Sequence, residues 1–574
     1  MSGRRGSKVW VLVWVLIAVF VARELYVART TSVTVDEPVH LVAGLSYLTR
    51  GDFRINPEHP PLVKLLAGAC ALALRPSVPS PEDSPGLATV EWSAANHFCW
   101  QNKERLDTLF LLGRLPVIAM GVLLLLLVFV WASDLYGKKA GLLSLFLASF
   151  CPNLLAHSCL ITTDTALALC LIWTFFLADR CARRPDVRSV FLLGVAIGCC
   201  LGAKFTAPVV LVPSFAVLVL LHFKSVRQES TGRVSPAVRV VCLCVVPLLL
   251  ISGLYGFSHI GWYARGFLEV FSQAGGKGSV SYLNGWYSPE GFRTYFIWAI
   301  LYKVPVAGLL LVCLACTGGR PNRREMFLIA PAAVLFFFAS MSRKQVGIRY
   351  ILPVLPFLYI FAGRIFRAAE QKVSAGRAVK VAAGCLAVCY GVASLACHPH
   401  YLSCFNSLAG GPDNGWRHLI DSNIDWGQDI RRLKAFLERE GNPEVQLSCF
   451  ASISPRVYGL AYQPLLMRVF PESFSPVIQR NSLSPRRELL VVSVNQMHGL
   501  LFDEKDMLIL SWLRQVPPAA KVGYSIFVYD ITRDIAIRRK LLSVYEAVGH
   551  TAYADRERAI LAKLEQEKPP GDLP

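Results

Sequence analysis

Apolar runs close to the ~20 residues that a bilayer-spanning helix needs recur at 9–27, 109–131, 140–156, 161–178, 189–202, 206–222, 238–257, 294–315, 326–341, 350–363 and 381–397. The number is odd, so the two ends of the chain are expected on opposite sides of a membrane. Arg4, Arg5 and Lys8 precede the first run, and no small-residue cleavage site follows it. That predicts an uncleaved anchor with the N-terminus in the cytoplasm. The inner loops are then 1–8, 132–139, 179–188, 223–237, 316–325 and 364–380. They carry Lys138 and Lys139, then Arg180, Arg183, Arg184 and Arg188, then Arg320, Arg323 and Arg324, then Arg364, Arg367, Lys372, Arg377 and Lys380. Each proposed inner loop is basic, as orientation by positive charge requires. Three larger pieces fall outside: loops 28–108 and 258–293, and the tail 398–574.

After residue 397 the pattern changes to that of a soluble domain. Asp425-Trp426-Gly427-Gln428 reads as a capping box opening a helix with Ile430, Leu433 and Leu437 on one face and a stop at Gly441. Strand-like runs follow at Val445–Ala451, Glu488–Val494 and Tyr524–Tyr529. The expected fold is an all-α polytopic membrane domain of about 11 transmembrane helices over 1–397, with a small extracytoplasmic α/β domain over 398–574. In the first outer loop, the turn-rich Pro76–Gly86 segment separates short apolar pieces expected along the membrane surface. No internal repeat stands out, and no inverted pair of broken helices of the kind many secondary transporters show.

Composition sharpens this picture. Of 574 residues 54% are hydrophobic and only 17% charged, against about 25% charged in a soluble domain. With a mean hydropathy of +0.45, a disordered tail, a collagen-like rod and a nucleic-acid-binding domain are excluded. The net charge of +20 becomes a topology signal, because residues 398–574 hold 21 Lys+Arg against 20 Asp+Glu and leave the excess to the membrane half. Most of the 17 cysteines lie in apolar runs and read as small hydrophobes, which leaves the redox compartment open.

The polar chemistry gathers at the expected outer edge. Asp36-Glu37-Pro38 follows the first span, and Asn56-Pro57-Glu58-His59-Pro60-Pro61-Leu62-Val63-Lys64 comes about twenty residues later. The acids also suit the first turn of a helix, but the two prolines after Glu58-His59 rigidify a turn with both side chains at its mouth. Thr162-Thr163-Asp164 opens an apolar helix, either as an N-terminal capping cluster or as a site acid. Lys204 is the sole charge of a tight turn, with snorkelling as the plain alternative. Arg343, Lys344 and Arg349 place three cations in an outer loop, against the charge trend, and ask for an anionic partner. Acids and cations in separate short loops suit transfer from a phosphate-linked donor. A carboxylate takes the proton of an attacking hydroxyl, and Lys and Arg stabilise the charge on a departing phosphate. Asp421, Asp425 and Asp429 would share a helix face, although helix capping accounts for them too. Trp262, Tyr263, Trp286 and Tyr287 suit an aromatic belt better than a sugar platform.

Asp36-Glu37 and His59-Pro60-Pro61-Leu62-Val63-Lys64-Leu65-Leu66 resemble the protein O-mannosyltransferase family and its bacterial relatives, the polyprenyl-phosphate-sugar-dependent transferases of the GT-C fold that include the lipid A aminoarabinose transferases. The resemblance spans about residues 9–400, with Thr163-Asp164, Gly202-Ala203-Lys204-Phe205-Thr206 and Arg349-Tyr350-Ile351-Leu352-Pro353. His398-Pro399-His400-Tyr401 and Asp421–Asp429 look like the tail of bacterial members, which favours a bacterial inner membrane over the endoplasmic reticulum. The resemblance implies Asp36 as catalytic base with Glu37 beside it, Asp164 as a second outer acid, and Lys204 and Arg349 on the donor phosphate. It implies a divalent metal in some members, for which Glu58 and His259 stand in the matching places. His59 replaces the phosphate-binding lysine of the aminoarabinose transferases, leaving Lys64 or charged His59 to compensate. A sugar would thus pass, with inversion, from a polyprenyl-phosphate carrier to an acceptor that the sequence does not identify. The rival function is a lipid-linked sugar transporter or flippase, which would need its charges at the midplane.

Overall fold

The structure, a computed structural model, describes residues 2–80, 90–228, 234–275, 280–367, 376–466, 482–500, 502 and 506–567; residues 81–86 of the Pro76–Gly86 turn segment lie outside these. The chain divides into two compact units. One is Met1–Arg29 with Asp36–Asn423, the other Thr30–Val35 with Ile424–Pro574. Residues 398–423, grouped with the tail by sequence, pack in the first unit.

The first unit is helical. Among the described residues, Lys8–Thr30, Lys103–Tyr136, Asp164–Arg183, Pro236–Leu254 and Gly376–Ala396 are long and apolar enough to cross a membrane. Tyr295–Lys303 and Val306–Cys316 make a sixth if counted as one span, bent by 112°. The bend has a covalent cause: Pro305 donates no backbone hydrogen bond, and Val304 before it is extended (φ −92°, ψ 130°). Several of the eleven expected spans are short helices instead. The 140–156 run breaks into Lys138–Ser149 and Pro152–His157, with the Cys151 thiol accepting from the Leu154 amide at the restart. The 350–363 run becomes a single turn, Ile348–Ile351, and the helix Val354–Ala362 on either side of Pro353.

Two short helices of the first outer loop are central to the site. α1 (Ser2–Thr30) leads to α2 (Glu37–Arg50), which Pro38 helps to start and left-handed Gly51 ends. α3 is Leu62–Ala71. Rather than lying on a membrane surface, α2 is buried at every position from Glu37 to Tyr47. α2 and α3 touch backbone to backbone: a Cβ on Gly44 would stand 1.9 Å from the Lys64 carbonyl oxygen, and one on Gly68 2.8 Å from the Gly44 carbonyl carbon. In the second outer loop, β1 (Ser281–Leu283) and β2 (Trp286–Ser288) form a hairpin turned by Asn284-Gly285, both with positive φ.

The second unit carries a five-stranded sheet in the order β4-β3-β5-β7-β6: β3 (Glu444–Ser448), β4 (Gln463–Pro464), β5 (Glu488–Ser493), β6 (Ala520–Val522) and β7 (Ile526–Asp530). β3 runs parallel to β4 and β5, and the β5-β7-β6 half is antiparallel. Ile430, Leu433 and Leu437 of the Ile430–Arg439 helix pack on Val445, Leu447, Leu489 and Val491. Elsewhere in this unit is a closed ion quartet, Arg538 and Arg556 each bridging Glu488 and Glu557 at 2.7–2.8 Å.

The expected capping box at Asp425 does not form. Gly427 is left-handed (φ 80°), which interrupts any helix running on from Asp425, and Asp429 occupies the cap position. The Asp425 carboxylate instead accepts from the Gly427 and Asn495 amides at 3.3 and 3.2 Å, and burial pushes its pKa up to about 7. Asp429 accepts from the Ser525 hydroxyl at 2.6 Å. The three aspartates share no helix face, and Asp421 belongs to the other unit. One disulfide, Cys397–Cys404, joins two cysteines that the sequence did not single out.

Candidate active site

Four chain segments bring their charges to one place. Asp36 stands at the start of α2, and Asp164 is the first residue of the Asp164–Arg183 helix. Lys204 ends the Val187–Ala203 helix in extended conformation (φ −156°, ψ 140°), since Phe205, Thr206 and the next helix redirect the chain. Arg349 sits in the Ile348–Ile351 turn, after Gly347 at φ 140°, where a Cβ would meet the Ser422 hydroxyl at 2.4 Å. Only glycine fits that approach. The Ile348 amide is fixed by Asn423 Oδ1 at 3.0 Å, and Asn423 is held in turn by the Tyr295 hydroxyl.

The charges form a ladder. Arg349 Nη1 reaches Asp36 Oδ2 at 2.7 Å and Asp164 Oδ2 at 3.9 Å, and Lys204 Nζ reaches Asp164 Oδ1 at 2.5 Å. The Tyr350 ring lies 5.2 Å from the ammonium and 5.7 Å from the guanidinium, a cation–π contact that helps to retain two like charges side by side. Asp164 is buried, whereas the Asp36 side chain keeps 22% of its exposure. Both acids stand at helix starts, where backbone N–H groups favour negative charge. Asp164 therefore holds the cations from behind, and Asp36 is the acid that an incoming group meets.

Glu37 does not join the ladder. Its two oxygens accept from Arg114 Nε at 2.8 Å and Nη2 at 2.6 Å, and Oε1 also takes the Ile161 amide at 3.0 Å. Both partners are almost wholly buried, so the adjacent acids have separate tasks. Lys64 is turned away as well. Its ammonium donates to the carbonyls of Asn56 and His59 and to the Tyr47 hydroxyl, and burial pushes its pKa down to about 7. His59 is within electrostatic reach of Lys204 and Arg349, but burial, then His40, Lys64 and these cations, hold its pKa well below the usual imidazole value. Burial thus works against the charged form that the phosphate expectation needs. Of the loop cations, Arg343 pairs with Glu290 at 2.8 Å.

Glu58 and His259, the expected metal ligands, have other neighbours in the structure. Among the described residues no group of three His, Cys, Asp or Glu side chains gathers. His259 meets Ser258 and packs its ring 5.3 Å from Phe53, while Glu58 acts electrostatically on Glu91, Lys64 and Lys344. No step is routed through a metal.

Several site residues escaped the sequence. Arg114 lies inside the 109–131 apolar run, where an unpaired arginine would be costly, and that was the available signal. His157 acts electrostatically on Asp164 and Arg349. Asp421, which the sequence grouped with Asp425 and Asp429 instead, is left-handed at φ 60° and within electrostatic reach of Arg349 and Asp36, and burial pushes its pKa up to about 6. Glu91, driven to about 7 by burial, accepts from Asn56 Nδ2 at 3.0 Å.

Residues 109–251, the segment that carries Asp164 and Lys204, match the family model described as dolichyl-phosphate-mannose-protein mannosyltransferase. No curated protein matches the chain. Among solved structures, ArnT from Cupriavidus metallidurans bound to undecaprenyl phosphate is 14% identical, with 91% of this chain and 98% of that one covered and a TM-score of 0.47. The archaeal oligosaccharyltransferase AglB from Archaeoglobus fulgidus, in complex with an inhibitory peptide and a dolichol-phosphate, is 14% identical over 68% of this chain and 56% of that one, TM-score 0.40. The resemblance to polyprenyl-phosphate-sugar-dependent transferases thus holds in sequence over 109–251. The chain is glycosyltransferase-like and, with its long apolar helices, integral to a membrane.

Proposed function

We propose that this chain is a glycosyltransferase of the GT-C fold that moves a sugar from a polyprenyl-phosphate carrier to an acceptor hydroxyl of a protein, lipid or glycan. The observation that carries the reading is the ladder Asp36–Arg349–Asp164–Lys204, assembled from four loops. A donor phosphate entering beside Arg349 and Lys204 competes with Asp36 for the guanidinium and releases a carboxylate next to the anomeric carbon. The acceptor oxygen attacks that carbon as its proton passes to Asp36. The bond to the phosphate oxygen breaks with its electron pair, and the carrier leaves as a phosphate stabilised by the two cations. A single displacement inverts the anomeric centre.

The site is assigned to the outer face of a bacterial inner membrane, with the N-terminus in the cytoplasm. The basic inner loops support this, as does the Cys397–Cys404 disulfide, a bond that persists in oxidising compartments. The flippase reading fits less well. Asp164 opens its helix, and the other end of that helix, about 28 Å away at 1.5 Å per residue, is closed by Asp179 and Arg183 with Arg324 and Asp134. The charges stand at helix ends rather than midway. Transfer by Asp36→Asn in proteoliposomes loaded with a polyprenyl-phosphate sugar tests the reading. A fall of about 10²- to 10⁴-fold is expected for loss of a general base, and full activity in a folded variant would refute it.

A further inference from the structure

Near the ladder, the turn Asn56–Pro61 holds two buried polar atoms that nothing among the described residues satisfies: Asn56 Oδ1 and His59 Nδ1. The turn is made rigid from inside. Lys64 Nζ donates to the carbonyls of both residues, so their backbones are pinned while their side chains are left to other partners. The orientation of the Asn56 amide is set by its Nδ2, which donates to Glu91 Oε2 at 3.0 Å. That leaves the carbonyl oxygen as the unused end, and Asn56 is 95% buried at a relative exposure of 5%. The His59 ring packs edge-on against His40 at 5.2 Å. His40 Nδ1 is committed to the Ile161 carbonyl at 2.7 Å, which requires the proton to be on that nitrogen. His40 stands one helical turn after Asp36, its amide donating to the Asp36 carbonyl at 3.1 Å, and His59 also feels the charges of Lys204 and Arg349.

Buried acceptors are rarely left unmade without a reason. An amide oxygen only accepts, so it suits a hydrogen-bond donor and offers nothing to a phosphate oxygen; an imidazole nitrogen that carries no proton does the same, and one that carries it donates to a hydroxyl oxygen. Beside cations that suit phosphate, the complementary group is an alcohol. We propose that Asn56 and His59 form a hydroxyl-binding subsite that selects the transferred sugar, rather than part of the phosphate grip. This rests on the donor reading above.

The test is binding of purified full-length protein to two kinds of probe. One is undecaprenyl phosphate alone, and the other is the same carrier loaded with mannose, glucose or galactose. The wild type is expected to bind one loaded carrier at least tenfold more tightly than the bare one. His59→Phe keeps the ring and removes the nitrogen, and Asn56→Ala removes the amide. Each is expected to cut that preference at least fivefold while bare-carrier affinity stays within twofold. His59→Lys, which can only donate, is expected to lose the preference equally. The subsite is overturned if the preference survives these changes or if the wild type shows none. It is overturned too if bare-carrier binding falls in His59→Phe and rises in His59→Lys, since His59 would then be a phosphate ligand. If the bare carrier fails to bind the wild type, or Arg349→Met leaves its binding unchanged, the donor reading falls first and takes the subsite with it.

Discussion

Replacing Glu37 by Gln separates a structural acid from a chemical one. The substitution keeps the shape of the side chain but puts an NH₂ where a charged oxygen met the guanidinium of Arg114. Three hydrogen bonds are affected, from Arg114 Nε at 2.8 Å, Arg114 Nη2 at 2.6 Å and the Ile161 amide at 3.0 Å. Arg114 keeps its bond to the Ala28 carbonyl at 2.6 Å, but its buried charge loses the carboxylate it was paired with. Breaking such a pair costs about 3–5 kcal/mol. At about 1.4 kcal/mol per factor of ten, that is about a 10²- to 4 × 10³-fold loss in the ratio of folded to unfolded protein. The assay is the fraction of detergent-purified protein that stays monodisperse after graded heating, with transfer measured per folded molecule. Glu37→Gln is expected to melt well below the wild type, and Glu37→Gln with Arg114→Met to recover most of the loss, because the stranded charge goes too. A variant as heat-resistant as the wild type but hundredfold slower per molecule would refute the argument and return Glu37 to the chemistry.

Three further outcomes follow from the same geometry. Lys204→Met is expected to weaken binding of bare undecaprenyl phosphate by at least tenfold, read by competition with a fluorescent carrier, and Arg349→Met by more, since Arg349 touches both acids. Glu91 titrates at about 7 when folded against 4.5 in its free form, so the fold holds a proton that the unfolded chain has shed. Its contribution is fully present below about pH 4.5 and is lost as pH rises to about 7; Glu91→Gln is expected to flatten that part of the melting-temperature profile, and an unchanged slope would contradict the burial argument. Lys303, buried with its ammonium on the carbonyls of Leu402 and Asn423, positions Asn423 beneath Arg349. Lys303→Met is expected to raise KM for the donor more than it lowers kcat, and an equal loss in both would argue against a positioning role.

The sequence was most legible where a charge had no plain reason to be. Asp36, Asp164, Lys204 and Arg349 each stood out in a short outer loop, and all four meet. It was least legible where direction matters. Asp36 and Glu37 are neighbours in sequence, but successive residues of a helix start point about 100° apart, so one acid faces Arg349 and the other faces Arg114. Lys64 read as a cation for a ligand because its spacing from the prolines does not reveal that its ammonium folds back on their turn. Three of the five strands of the tail, β3, β5 and β7, were visible from their apolar runs, and the two- and three-residue β4 and β6 were too short to show, whereas the helix start was misplaced because left-handed Gly427 outweighs an otherwise suitable capping pattern. The disulfide was hidden among cysteines that serve as hydrophobes.

The bare backbone contact between Gly44 and Gly68 gives the reaction chamber a ruler. The start of α2 carries Asp36 and His40, and the turn leading into α3 carries Asn56 and His59, so the two glycine hydrogens set the gap between the proposed base and the proposed hydroxyl subsite. A methyl group at either position would act as a shim, moving no catalytic atom by substitution yet widening the chamber between them. Larger or smaller sugars could thus be admitted by related chains through changes at two positions that never touch the substrate.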